Sequence, residues 1–99
     1  MPVGEQGFAN QYQKPLGYVQ VASFSTLQSG LPSVPAGSTM AIIAVEGNAI
    51  RWRDDGTNAT AAVGMPVAVG QTLSYTGTMS AFTFIPQTGS ATIDISYYG

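Results

Sequence analysis

The chain has 99 residues, with three Lys+Arg, five Asp+Glu, no histidine and no cysteine, for a net charge of -2. A domain this short buries roughly 60–65% of its unfolded surface, and without cysteine neither a disulfide framework nor a thiolate metal site can staple it. Charged residues are 8% of the chain against about 25% in ordinary soluble domains, so association with other protein is the expected remedy, and the missing Lys/Arg cluster excludes a nucleic-acid or anionic-membrane footprint.

The opening stretch, MPVGEQGFANQYQKPLG, lacks a charged n-region followed by an apolar h-region, so no secretion signal is expected. The longest apolar run, Met40 to Val45, is far short of the ~20 residues that span a bilayer. Residues 1–15 contain Pro2, Gly4, Gly7 and Pro15 and show no periodicity; they read as an extended arm whose Phe8 and Tyr12 need a neighbour to dock on. Residues 16–99 read as one domain. No stretch of ten residues carries helical spacing free of Gly or Pro, whereas many short pieces alternate with period two, which points to an antiparallel β-sandwich or barrel.

The first of those pieces is LGYVQVASF, Leu16 to Phe24. A loop, STLQSGLPSVPAGST, follows, its two prolines forbidding a central strand. The runs Thr39–Val45 and Ala49–Arg53 then flank Gly47-Asn48 and predict a hairpin with a type II′ turn. Alternation places Ile50 and Trp52 on one face of the second run and Ala49, Arg51 and Arg53 on the other, making Trp52 a core anchor. The next residues, DDGTNAT, carry turn chemistry, with Gly56 in the left-handed region. Strands are expected over Met65–Val69 (weakened by Pro66), Gln71–Thr76, Ser80–Ile85 and Ala91–Tyr98, with turns at Gly70, Gly77 and Gly89. The last strand alternates most sharply: Ile93, Ile95 and Tyr97 inward, and Thr92, Asp94, Ser96 and Tyr98 outward.

Without histidine or cysteine the usual general base, soft metal ligands and every Ser–His or Cys–His nucleophile are excluded. Carboxylates remain, but Asp54 and Asp55 are adjacent at a turn beside Arg51 and Arg53, where local pairing is the simpler role. DDGTN falls short of the spacing that closes an EF-type calcium loop. We therefore expect no enzyme, no cofactor and no metal. Outward arginines cover apolar surface with their stems and pair with Asp54, Asp55 or the outward Asp94; at a subunit boundary such pairs would fix register and partner choice. The candidate interface residues are accordingly Phe8, Tyr12, Arg51, Arg53, Asp54, Asp55 and Tyr98. An outward Tyr98 also keeps a sugar-binding module in play, which needs two or three rings on one exposed face.

The run AIRWRDDGTNATAAVGMPVAVGQTLSYTGTMSAFTFI, together with ATIDISYYG, resembles small structural proteins of tailed bacteriophages. Those share a basic-aromatic-basic RWRDDG segment, a VGMPV segment, a GQTLSYTG strand and a final aliphatic strand closing on tyrosines. The match covers about the C-terminal half. The resemblance implies a jelly-roll-like β-sandwich with an extended N-terminal arm, acting as a capsid cement or decoration protein. It also implies a dimer or trimer, the major capsid protein as partner, the capsid surface of the virion as location, and no nucleic-acid or membrane partner. A head-fibre or tail part is the alternative it leaves open.

Overall fold

A computed structural model describes residues 13–99. Eight strands form two antiparallel sheets: β1 (Pro15–Phe24), β2 (Gln28–Ser29), β3 (Met40–Glu46), β4 (Ile50–Arg53), β5 (Met65–Val67), β6 (Thr72–Tyr75), β7 (Thr83–Pro86) and β8 (Ala91–Tyr98). The first sheet has the order β1-β8-β3-β6 and the second β2-β7-β4-β5. The outermost pairs are nested: β1 with β8, β2 with β7, β3 with β6 and β4 with β5. Two further pairings, β3 with β8 and β4 with β7, close each sheet around these.

Period two explains the layering. Along β8 Ala91, Ile93, Ile95 and Tyr97 are buried while the residues between them are half-exposed, and β3 answers with buried Ala41, Ile43 and Val45. The register sets Ile43 opposite both Ile95 and Leu73, so one inward row crosses the first sheet. Ile50, Phe84 and Val67 supply the facing layer from the second sheet. Branched and aromatic side chains fill such a pleated, one-sided surface well, each fully buried one being worth ~1.5–3 kcal/mol. Met40, Ile42 and Ala44, the other side of the apolar run in β3, stay half-exposed on the outer face.

The predicted hairpin around Gly47-Asn48 does not form. β3 and β4 lie in different sheets, and Gly47, at φ 84°, turns the chain across the sandwich. Both runs carry inward apolar residues, Val45 and Ile50, which both meet the core only if the strands face each other across it. The Asn48 side-chain amide donates to the Ser90 carbonyl at 2.7 Å and fastens this crossing to the turn before β8. The predicted strand at Ser80–Ile85 is also shorter than expected. Met79–Ala81 forms a 3-10 turn that drops Met79 and Phe82 into the core, and β7 starts at Thr83. Val69 lies outside β5, in a turn where the Gln71 amide donates to the Ala68 carbonyl. The β-ladder begins slightly earlier than expected, with Lys14 and Gly99 bonded in both directions at 2.8 and 3.0 Å.

The two ends of the sandwich differ. Residues 25–27, 47–49, 68–71 and 87–90 make four short turns at one end. Residues 30–39, 54–64 and 76–82 make three long loops at the other, where Gln13 and Gly99 also lie. Hydrogen bonds tie those long loops down: Tyr97 hydroxyl to the Pro32 carbonyl, Leu31 amide to the Met79 carbonyl at 3.0 Å, and Ala59 amide to Thr83 Oγ1 at 3.1 Å. Thr83 Oγ1 in turn donates to the Arg53 carbonyl at 3.1 Å, so a single buried hydroxyl holds the loop after β4 against β7.

Candidate functional site

β5 and β6 are the last strands of their sheets on the same side of the sandwich. Neither has a second strand neighbour among the described residues, so this flank is where the two layers are open. Trp52, on β4, reaches into the opening. Its indole stacks on Phe82 with centroids 5.0 Å apart and planes 15° apart, and Tyr75 meets it edge-on at 5.7 Å. The expected core role of Trp52 is thus half of its role, because the partly buried residue also lines a cleft of about 390 Å³ together with Arg53, Asp54, Asp55, Val63 and Met65. A second hollow of about 520 Å³ continues from Trp52 and Met65 along Pro66, Gln71 and Leu73. Met65 and Val63 border the cleft at 57% and 54% exposure, Met65 from the start of β5 and Val63 from the loop before it.

The charged group at the mouth is held internally. Arg53 grips Asp55 through both guanidinium and carboxylate forks, Nε to Oδ1 at 3.0 Å and Nη2 to Oδ2 at 2.6 Å. That hydrogen-bonded pairing holds the Asp55 carboxyl below its ordinary range and raises the Arg53 guanidinium. Asp54 takes the Tyr75 hydroxyl at 2.8 Å, and the same hydroxyl reaches the Thr78 carbonyl at 3.1 Å. Burial, then that bond to Asp54, pushes the Tyr75 phenol up to about 12. Arg51 meets no acid among the described residues. Its Nε donates to the Ala61 carbonyl and its Nη1 to the Gly64 carbonyl at 2.9 Å, where it props the loop between β4 and β5. Gly64 sits so close to this hairpin, with a built Cβ only 3.1 Å from the Trp52 carbonyl, that a side chain there would push the loop away.

The structure therefore brings Arg53, Asp54 and Asp55 together beside Trp52, leaves Arg51 to the following loop, and sets Tyr98 apart. Tyr98 lies on the outer face of the first sheet, half-buried, accepting from Ser96 Oγ at 3.3 Å. Asp94 belongs to that face as well and is not reached by either arginine. It accepts from the Tyr18 hydroxyl at 2.7 Å and Gln20 Nε2 at 2.8 Å. A bond with the Glu46 carboxyl, then those two donors, lowers Asp94, and the same carboxyl–carboxylate bond raises Glu46. Tyr18, 64% exposed, is raised by its bond to Asp94. Phe8 and Tyr12 lie outside the described residues. Sequence reasoning missed Met65, Val63 and Leu73, because whether an apolar side chain lines an open flank or a core depends on which strand is outermost, and local alternation is silent on that.

No three acidic side chains converge as a metal set among the described residues, and no described helix is long and apolar enough to cross a membrane. No known protein family, curated protein or solved structure matches this chain.

Proposed function

We propose that this chain is a non-catalytic capsid decoration protein of a tailed bacteriophage, which binds the outside of the shell at junctions between capsomers and stabilises it. The observation that carries the reading is the nested strand pairing. It supports a jelly-roll winding, and it gathers three long loops and the start of the arm at one end of the sandwich, opposite four blunt turns. A body of that shape presents one contoured end to a surface. The RWRDDG and VGMPV segments behind the phage resemblance form the walls of the Trp52 cleft, which fits a role in contact with protein. Its mechanism is additive: each copy contributes modest contacts, by loops and by the arm of residues 1–15, and a symmetric lattice multiplies them. A head-fibre or tail part is the same kind of object at lower copy number.

Counting copies per particle by imaging and quantitative gel of purified virions tests this. A stoichiometric ratio to the major capsid protein and density on the outer shell are expected; a handful of copies at the tail or portal would replace decoration by the fibre reading, and absence from virions would end both. A carbohydrate-binding role has one observation in its favour, namely that Tyr18 and Tyr98 occupy the same outer face, with Tyr18 opposite Ser96 and Tyr98 two residues further on. Glycan-array binding lost on Tyr98→Ala and Tyr18→Ala would establish it.

A further inference from the structure

The two edges that border the Trp52 furrow are not equivalent. β5 is blunted by Pro66, which has no N–H to offer an added strand. β6, TLSY, has no proline and pairs with β3 on one side only, from Ala44–Thr72 to Ala41–Tyr75. Alternate N–H and C=O groups of its other edge therefore face the furrow, available to an extended peptide. Beside that edge Trp52, Leu73 and the exposed Met65 line the same hollow. The site thus has the two parts that strand addition uses: a backbone ladder for affinity and an apolar seat for one side chain.

The chain's own geometry identifies an occupant. Lys14 and Gly99 extend the β1–β8 ladder one step past Pro15–Tyr98, and the following Pro15 bars Lys14 from helical backbone. The chain thus runs out along the β1 axis at the long-loop end. Twelve residues precede Gln13, among them Val3, Phe8 and Tyr12, a span of up to ~40 Å when extended. The molecule's own β6 is the far strand of the same sheet, three strand spacings or ~15 Å sideways from β1, so pairing there would require the chain before Gln13 to cross that distance and reverse direction, which a second copy set against this end does not require.

We propose that the furrow between β5 and β6 is the acceptor for residues 1–12 of a second copy of this chain, paired along the β6 edge with Phe8 seated on Trp52. This names the neighbour for the arm in the reading above. It stands apart from the capsid assignment, because the isolated chain tests it and a negative result leaves copies per particle unaffected.

The absence of cysteine makes the test direct. Full-length Ala9→Cys and Met65→Cys chains, which keep Phe8 in place, are mixed and oxidised mildly, one of them carrying a mass tag. The expected result is a disulfide-linked heterodimer at least ~10-fold above the yield of Ala9→Cys mixed with Thr88→Cys, a pair aimed at the opposite end, since docking raises the local thiol concentration. Met65 and Thr88 are both exposed, so neither replacement disturbs the core, and circular dichroism checks that each chain is folded. Equal yields for the two mixtures would overturn the proposal. So would an Ala9→Cys/Met65→Cys double variant that closes on itself as a monomer at low concentration, which would give the furrow to the chain's own arm. In the unmodified protein, sedimentation should show association that Phe8→Asp abolishes, with a parallel change in the emission of Trp52, the only tryptophan; a monomer at every concentration would refute it.

Discussion

Alkaline pH should unfold this protein through two buried tyrosines. Tyr75 and Tyr97 are 5% and 1% exposed, and both phenols are pushed up from 10.0 to about 12, by burial in each case and for Tyr75 also by its bond to the Asp54 carboxylate. Ionising Tyr97 would set an anion against the Pro32 carbonyl it now donates to. In the unfolded chain the same phenols titrate near ~10. The folded state therefore holds more protons between those two values, so its stability is complete below about pH 10 and falls as pH rises towards 12. Each tyrosine contributes a slope of about 1.4 kcal/mol per pH unit, or about 2.7 kcal/mol over the full interval. Together they remove about 5 kcal/mol, the whole stability of a domain at the low end of the ~5–15 kcal/mol range. Urea titrations at steps between pH 8 and 12, with tyrosinate absorbance followed in parallel, measure this directly. Tyr97→Phe and Tyr75→Phe should each start less stable and lose stability with half the slope, and the double variant should be nearly flat. A wild-type curve that is flat over the interval, or a double variant with the wild-type slope, would refute the reasoning.

Three further outcomes follow from the packing. Ile43→Ala removes a fully buried side chain at the crossing of the inward rows and should cost about 3–5 kcal/mol, a fall in Tm of more than ~10 °C by calorimetry. Thr83→Val leaves the Ala59 amide and the Arg53 carbonyl without their shared hydroxyl; a loss of about 2–4 kcal/mol is expected, largely restored by Thr83→Ser, with faster amide exchange at Ala59 as the local readout. Gly47→Ala puts a Cβ on backbone at φ 84° and should cost about 1–2 kcal/mol of strain in chemical denaturation, although the nearest atom, the Ser90 carbonyl oxygen, lies at an ordinary 3.5 Å.

What could be read in advance was whatever period two decides alone. β8 is found over the residues its alternation marked, with the inward set intact, and β1 and β6 are found within a residue or two of expectation. Local pattern fails where a residue's burial comes from another element. Phe82, Thr83 and Phe84 are buried in succession, since the loop after β4 covers the side of Thr83 that alternation would leave in water. Gly47-Asn48 has the residues of a hairpin turn, but the preference of β3 for β8 and β6 is a long-range competition that a turn dipeptide does not record. At the site, Arg53 and Asp55 were legible as a local pair two residues apart. Arg51 was misassigned to a carboxylate because its partners are carbonyls of a loop ten and thirteen residues on.

The unequal ends also decide where foreign sequence belongs. Gly99 lies beside the long loops, so a tag fused to it crowds the contoured end. The turn at residues 87–90 is on the opposite pole, with Thr88 and Gly89 exposed and Gly89 already at φ 58°. Peptide cargo spliced between those two residues would project away from the body, giving a display scaffold that keeps the long-loop end clear.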